Sequence, residues 1–267
     1  VTQAVGTAVT FRSALCTYIA AAYDSANNKV VIAYQDRGNS SYGTAVVGTV
    51  DPSDNSISFG TPVVFESANT QRIATTYDVN AGKVLVSFQA DGGNSGRLTS
   101  IVGTVSNTSI SFGSAVVINT STSATHVASV YDANAQKVVL VATTAGAPAA
   151  FVCTISGTSV SSGSRVVFGG SNGEQNRVTY DANAQKVVVI CSYSSAGRAR
   201  VGTVSGTSIS FGTEATFQNA TIEEPGIAYD ASAQKVVIVY KNSGNSDYGT
   251  AIVGTVSGTD ISFGSSA

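Results

Sequence analysis

One motif occurs five times in this chain of 267 residues, and this repeat restricts the possible folds more than any other feature. Each copy has a Tyr-Asp pair, a Lys five residues beyond the Asp, and then an apolar run. The copies start at Tyr23, Tyr77, Tyr131, Tyr180 and Tyr229, so the period is 54 residues twice and then 49 residues twice. Repeats of this length indicate a fold built from equivalent units that stack on one another.

Each copy contains four segments with strand character, here called A to D. Segment A ends at the Tyr-Asp pair, B follows the Lys, C resembles residues 250–256, and D resembles residues 57–65. Val, Ile, Thr and Tyr are frequent in them, and no helical period is present. Turn-forming residues separate A from B and C from D, as at 181–185 and 205–208. The pattern predicts an antiparallel four-stranded meander in each copy.

Segment B is apolar at consecutive positions, as in Val187-Val188-Val189-Ile190, which is typical of a strand covered on both faces. Sheets stacked face to face provide such cover, and four strands in about 50 residues is the size of a β-propeller blade. We therefore predict an all-β fold, a five-bladed β-propeller with four antiparallel strands per blade. The propeller is expected to be a single domain over residues 1–267.

The two ends of the chain match the two halves of one D segment. Residues 5–11 resemble the back half, at 59–65, and residues 260–264 resemble the front half. This predicts a ring closed by N-terminal and C-terminal segments that share one blade. Excision of five units from a longer array would leave similar ends, and this alternative stays open. The chain has no Met, so we expect a processed product or a piece of a longer protein.

Composition excludes several kinds of function. The 14 Lys and Arg are balanced by 16 Asp and Glu, so the basic surface of a nucleic-acid-binding protein is not expected. No apolar run is long enough to insert into a membrane. His126 is the one His and has no Cys or His at ligand spacing, which argues against zinc. The oxygen-rich loops 36–42 and 242–248 lack the spacing of a calcium loop. We predict no metal and no cofactor.

The three cysteines are far apart in sequence. Cys16, Cys153 and Cys191 are expected to be small buried apolar residues. A Cys153–Cys191 disulfide between adjacent blades is the alternative.

Repetition separates structural residues from candidate binding residues. The A–B and C–D turns are nearly identical between copies, which indicates a folding role: the recurrent Asp is expected to cap its turn and the Lys to pair with it. The B–C loops and D–A connections differ between copies and should lie together at the other end, where recognition residues are usually found. We predict a ligand site there.

The predicted ligand-binding residues fall into two groups. The residue five positions before each recurrent Tyr should lie near the end of the innermost strand; these are Tyr18, Arg72, His126, Gln175 and Glu224. The loops contribute Asp36, Arg37, Asn39, Tyr42, Asp91, Asn94, Arg97, Arg198, Asn242, Asn245, Asp247 and Tyr248.

No catalytic residues are predicted, because the chain has no nucleophile motif with an orienting acid and base. Glu223 and Glu224 precede Pro225 in a D–A connection, and with another carboxylate they could form the pair that glycoside hydrolysis needs. The leading expectation is that the protein is not an enzyme.

The run Tyr180–Val189 and the segment Val201–Thr213 resemble tandem repeats of phage tail and fibre proteins and of marine microbial proteins. In blade number the chain is similar to five-bladed lectins of the tachylectin-2 type, although the Trp-bearing motifs of those lectins are missing because the chain has no Trp. The resemblance implies recognition on a virion or cell surface.

Our leading prediction is a non-enzymatic recognition or adhesion module, extracellular or on a virion surface. It would bind a glycan or protein receptor, with other virion or surface proteins as further partners. One alternative is a structural or decoration protein of a particle without a small ligand. The other alternative is a glycan hydrolase.

Overall fold

A computed structural model of the chain describes residues 6–91, 96–121 and 123–266. These residues form antiparallel strands, turns and one short 3-10 helix, Ser243–Asn245, so the all-β prediction is confirmed. Within the described ranges, no helix is long and apolar enough to span a membrane. The chain groups into two compact units: residues up to 117 with 155–160, and residues 118–154 with those from 161 onwards.

The first two repeats form antiparallel meanders, as predicted. Their strands are β1 (Cys16–Asp24), β2 (Lys29–Asp36), β3 (Tyr42–Asp51), β4 (Ser56–Phe59), β5 (Val63–Asp78), β6 (Lys83–Ala90), β7 (Arg97–Ser106), β8 (Ser109–Phe112) and β9 (Val116–Asn119), which pairs with β7. In each meander the recurrent Asp ends one strand and the recurrent Lys begins the next.

The other three repeats follow the same order. Their strands are β10 (Thr125–Asp132), β11 (Lys137–Thr144), β12 (Ala147–Ser156), β13 (Ser159–Ser162), β14 (Val166–Val167), β15 (Glu174–Asp181), β16 (Lys186–Tyr193), β17 (Ala196–Ser205), β18 (Ser208–Phe211), β19 (Ala215–Gln218), β20 (Ile222–Asp230), β21 (Lys235–Asn242), β22 (Tyr248–Ser257) and β23 (Asp260–Phe263).

The strands belong to four sheets, whereas the sequence predicted five separate blades. The first two meanders share a nine-stranded sheet, and the other three form sheets of five, five and four strands. The cause is β5, which pairs with β3 through its first residues and with β6 through its last. β5 runs without a break for 16 residues, so it joins the strands of the first two meanders in one sheet.

Segment D is divided in two, which corrects the prediction of one strand over 57–65. Both halves pair with the same neighbour: β4 and the start of β5 each lie along β3. The break falls at Gly60, Thr61 and Pro62. A Cβ on Gly60 would lie 1.8 Å from the carbonyl oxygen of Thr108, so the backbones meet closely here and only glycine fits.

The core lies between meanders that pack against each other within each unit. In the second unit Val139, Val187 and Val189 are fully buried members of one apolar cluster, which spans the third and fourth meanders. This explains why segment B is apolar at consecutive positions: both of its faces pack on neighbours.

The recurrent Asp caps its turn, as predicted. Asp181 accepts a hydrogen bond from the Ala184 amide at 2.9 Å, and the other four recurrent Asp residues accept equivalent bonds. The expected ion pair between this Asp and the recurrent Lys is not formed in any of the five turns, all of which the structure describes. Backbone capping, not charge pairing, fixes these hairpins.

Candidate functional site

The A strand of every meander carries a bulge at the same repeat position; these strands are β1, β5, β10, β15 and β20. The residue at the bulge has left-handed backbone geometry, with φ between 48° and 59°, although none of the five is glycine. They are Tyr18, Arg72, His126, Gln175 and Glu224, the residues predicted from their place before the recurrent Tyr. Left-handed geometry costs a non-glycine residue about 1–2 kcal/mol, and such strain is typical of functional sites.

In each meander, the residue just before the bulge lies opposite a residue near the end of segment B. In the regular antiparallel register, Glu174 lies opposite Ser192 and Glu223 opposite Lys241. The corresponding pairs in the other meanders are Thr17 with Gln35, Gln71 with Gln89, and Thr125 with Thr143. Every meander therefore ends in polar side chains at its bulged end.

The variable loops lie at this same end of their meanders. The Arg37 amide donates a hydrogen bond to the Leu15 carbonyl at 3.0 Å, and the Asp91 amide donates one to Asn69 at 2.9 Å. Each bond joins a B–C loop to a D–A connection, as the sequence predicted.

In the first unit, three of the predicted residues share one hydrogen-bond network. Asp91 accepts bonds from the side-chain amides of Asn69 at 2.8 Å, Gln71 at 2.6 Å and Gln89 at 3.3 Å. Arg72 then donates to Gln89 at 3.1 Å, and Tyr18 donates to Gln71 at 3.4 Å. The network fixes these side chains relative to one another.

The predicted loop residues of the first unit differ in burial and in their place in the fold. Asp36 is buried, lies 2.9 Å from Arg12 in an ion pair, and accepts from the Gly38 amide, so its carboxylate stabilises the loop. Arg37 is exposed. Asn39 forms the loop backbone, Tyr42 begins β3, Arg97 begins β7, and Asn94 lies outside the described residues.

In the second unit, the bulged ends of β15 and β20 border a cavity of about 390 Å³. The carboxylates of Glu174, Glu223 and Glu224 line it. The remaining lining residues are Asn172, Gln175, Ser192, Tyr193, Ser194, Ser195, Thr221 and Ile222. Of the ligand-binding residues predicted from sequence, Gln175 and Glu224 line this cavity, and Glu223, named for the glycan hydrolase alternative, lines it too.

The three carboxylates have different partners. Lys241 Nζ lies 2.9 Å from Glu223 Oε2 and 3.4 Å from Asp247 Oδ2. The hydrogen bond that Lys241 donates to Glu223 raises the pKa of the Lys241 ammonium, which stays charged. Among the described residues, neither Glu174 nor Glu224 belongs to an ion pair.

Tyr193 forms a rigid part of the cavity wall. Its hydroxyl donates to Glu214, which also binds Arg198 at 3.1 Å and Arg200 at 3.4 Å. The Arg198 guanidinium lies 5.2 Å from the centre of the Tyr193 ring, while Gly170 packs against the ring carbons. Burial first, and then the Glu214 carboxylate, raises the pKa of Tyr193 to about 12. Arg198 thus contacts Tyr193, which lines the cavity, and is not itself a lining residue.

The other predicted residues of the second unit lie apart from this cavity. His126 Nδ1 is 3.1 Å from the Thr125 hydroxyl, and Asn242 caps the 3-10 helix through the Gly244 amide. Asn245 and Tyr248 are exposed in the same loop. The described residues contain no group of three or more His, Cys, Asp or Glu arranged to hold a metal ion. All three cysteines are free.

Sequence reasoning missed Glu174, Ser192, Tyr193 and Glu214. A signal for Glu174 was present, because it immediately precedes Gln175 as Glu223 precedes Glu224. Tyr193 and Glu214 are 21 residues apart in sequence, and only the fold brings them together.

The sequence matches no protein-family model and no curated protein. Its structure is similar to several solved structures with low sequence identity. A putative 6-phosphogluconolactonase from Bacteroides uniformis is 10% identical, with a TM-score of 0.65 over 92% of this chain and 70% of that one. A protein from Lactobacillus plantarum is 11% identical, with a TM-score of 0.63 over 92% and 70%.

A variant of an exo-β-1,3-galactanase from Phanerochaete chrysosporium, solved with β-1,3-galactotriose, is 10% identical. Its TM-score is 0.52 over 97% of this chain and 69% of that chain. At such identities the likeness establishes the fold, which is all-β and propeller-like.

Two of the similar structures are named as enzymes, a putative lactonase and a galactanase, and this finding contradicts the prediction of a non-enzymatic recognition module. The variable loops led to that prediction, whereas the acidic residues of the cavity come from two strands that are about 50 residues apart in sequence.

Proposed function

We propose that this chain is a glycan hydrolase that cleaves a glycosidic bond in the cavity between the ends of β15 and β20. The observation that carries the proposal is that three acidic residues, Glu174, Glu223 and Glu224, line one cavity. Glycoside hydrolysis uses two carboxyl groups on either side of the bond that breaks, one as acid and one as nucleophile or base.

The surroundings of the carboxylates suggest how these tasks are divided. Glu223 accepts a hydrogen bond from Lys241, which orients its carboxylate, so it is the candidate nucleophile or base. Glu174 has no cationic partner among the described residues and is the candidate proton donor. Glu174 would protonate the leaving oxygen, and water would supply the hydroxyl that ends on the anomeric carbon.

The charge of the wall favours a neutral sugar over a phosphorylated one. Three carboxylates repel a phosphate group, and Lys241 is already shared between Glu223 and Asp247. A volume of about 390 Å³ falls at the lower end of the usual range for ligand pockets. This supports a short sugar segment as the bound group.

We further propose that each of the five repeats is one propeller blade. The equivalent bulges and the equivalent Asp-capped turns of all five repeats support this count. An extracellular or virion-surface location, expected from the sequence, would suit an enzyme acting on a glycan polymer.

The test is release of reducing ends from a panel of neutral α- and β-linked polysaccharides. Glu174→Gln and Glu223→Gln should each lower the rate at least about 100-fold, because each removes one of the two carboxyl functions. Asp260→Asn, an exposed change in a C–D turn, is the matched control and should keep full activity.

Azide can separate the two roles. It should restore turnover in the variant that lacks the nucleophile or base, Glu223→Gln, and leave a glycosyl azide as product. Hydrolysis by wild type and both Gln variants at equal rates would refute the site, and no hydrolysis of any polymer by wild type would refute the function.

A further inference from the structure

Three charged side chains of the fifth meander form a chain of contacts beside the cavity. Lys241 Nζ lies 2.9 Å from Glu223 Oε2 and 3.4 Å from Asp247 Oδ2. Glu223 is on β20, Lys241 is on β21, and Asp247 is in the loop between β21 and β22. Lys241 therefore connects a residue that lines the cavity, Glu223, with one that does not, Asp247.

The pairing of an acid with a cation at this place is specific to the fifth meander. The corresponding pairs of the first three meanders are uncharged, and in the fourth meander the acid faces a hydroxyl; these pairs are Thr17 with Gln35, Gln71 with Gln89, Thr125 with Thr143, and Glu174 with Ser192. Four meanders thus form the same hairpin without a cation at this position. The Glu223–Lys241 pair is therefore not required by the fold of the repeat.

The loop that carries Asp247 is fixed to a segment that lines the cavity. The Ser243 amide and the Ser243 hydroxyl both donate hydrogen bonds to the Thr221 carbonyl, at 3.2 Å and 2.8 Å, and Thr221 is a lining residue. The Asp247 amide donates to the Asn242 carbonyl at 3.0 Å and closes the loop. These bonds determine where the Asp247 carboxylate lies relative to β20 and β21.

The carboxylate of Asp247 is not needed for the conformation of this loop. The first meander has a B–C loop of the same length, in which Ser40 and Ser41 have φ angles of 54° and 62°. Ser246 and Asp247 occupy the same places with φ angles of 51° and 61°. Because serine supports the same left-handed pair, the contact between Asp247 and Lys241 calls for a role other than folding of the loop.

The flexibility of lysine suggests what that role is. An ammonium on a four-carbon stem has many rotamers, and one hydrogen bond to Glu223 restricts them only in part. A second carboxylate on the other side of the ammonium limits its positions further. Asp247 is placed to keep Lys241 directed at Glu223.

We propose that Asp247 is a positioning residue for the hydrolytic reaction and acts on Glu223 through Lys241. The inference rests on the proposed function, in which Glu223 is the nucleophile or base. Asp247 holds the Lys241 ammonium, and the ammonium orients the Glu223 carboxylate towards the atom that it attacks or deprotonates. Correct orientation of a reacting group is a large part of enzymatic rate enhancement.

Asp247→Asn tests this role, because it removes the charge, keeps the size of the side chain, and places a residue that readily adopts left-handed geometry. It should lower kcat about two- to fivefold on a polysaccharide that wild type cleaves, a small effect because solvent screens the pair. KM and the midpoint of urea unfolding should not change. Asp247→Glu should restore most of the rate, since it returns a carboxylate to Lys241.

Two further variants complete the test. Asp260→Asn makes the same chemical change in a C–D turn and should keep the kcat of wild type. Adding Asp247→Asn to Lys241→Gln should cause no further loss, because the ammonium that Asp247 holds is then gone.

The outcomes separate this inference from the proposed function. An inactive Glu223→Gln together with full activity of Asp247→Asn would overturn the role of Asp247 alone. A loss on Asp247→Asn that is equally large with and without Lys241, or that appears only in the urea midpoint, would overturn it as well. Full activity of Glu223→Gln, or no hydrolysis by wild type, would overturn both proposals.

Discussion

Lys241 Nζ lies 2.9 Å from Glu223 Oε2, and the two residues are directly opposite each other in the register of β20 and β21. Both side chains are partly exposed, so the pair contributes little to stability. Its importance is for the cavity, because it places a fixed positive charge beside one of three carboxylates.

Replacing Lys241 with Gln should lower kcat/KM, because Glu223 loses the ammonium that donates a hydrogen bond to it and holds its carboxylate in place. Both side chains are partly exposed, so solvent screening should keep the loss below about tenfold. The measurement is kcat/KM at one fixed pH on a polysaccharide that wild type cleaves.

Two further variants make this result specific. Lys241→Arg should restore the rate, because it restores the charge. Lys235→Gln, the same change at the other end of β21, should leave kcat/KM unchanged. A wild-type kcat/KM in Lys241→Gln would contradict the role proposed for the pair of Glu223 and Lys241.

Gly60→Ala should destabilise the protein by about 3 kcal/mol, because the new methyl group would overlap the Thr108 carbonyl and force the backbones apart. Gly264 occupies the equivalent place in the last meander, and the nearest atom to its Cβ would be 4.0 Å away. Gly264→Ala should therefore stay within about 0.5 kcal/mol of wild type. Urea unfolding at low protein concentration compares the two, and equal losses would contradict the packing described for Gly60.

Much of the fold could be predicted from sequence because the same pattern of turns and apolar runs occurs five times. The recurrent Asp residues predicted the hairpin turns, and consecutive valines in segment B indicated sheets covered on both faces. The break at Gly60 could not be predicted, since it depends on the Thr108 carbonyl of another meander. The continuity of β5 also depends on pairing with two different strands.

The candidate site was predicted less completely. The five bulge positions followed from their spacing before the recurrent Tyr, and the structure places all five in the same strained geometry. The acidic wall was missed because Glu174 and Glu223 come from different repeats and meet only when β15 and β20 pack side by side. Sequence variation between the loops indicates at which end of the meanders a ligand site lies. It does not indicate which chemistry the site carries out.

Gln175→Gly should stabilise the fold by about 0.5–1 kcal/mol, because glycine adopts the left-handed geometry at this bulge without steric cost. Gln175→Val should destabilise it by about 1–2 kcal/mol, since a β-branched residue is least tolerated there. Thr179→Gly, in the regular part of the same strand, should cost about 1 kcal/mol. Urea titrations of the three variants measure these differences, and a loss on Gln175→Gly would mean that the side chain, not the backbone, determines the bulge.

Cys153 and Cys191 should resist alkylation in the folded protein. Burial raises the pKa of each thiol to about 12. At pH 8 the reactive thiolate is then on the order of 10⁻⁴ of each thiol, against about a quarter in an unfolded chain with a pKa near 8.5. Iodoacetamide labelling at pH 8, read by mass spectrometry, should leave both unmodified until urea unfolds the protein.

The same pKa shifts predict a loss of stability in alkali. Because the folded-state pKa lies above the unfolded value, stabilisation by the two neutral thiols is complete below about pH 8.5 and decreases as the pH rises towards 12. A Cys153→Ala, Cys191→Ala double variant should show a shallower fall in unfolding free energy between pH 8 and 10 than wild type. Parallel curves for the two proteins, or labelling of native Cys153, would contradict the burial of these thiols.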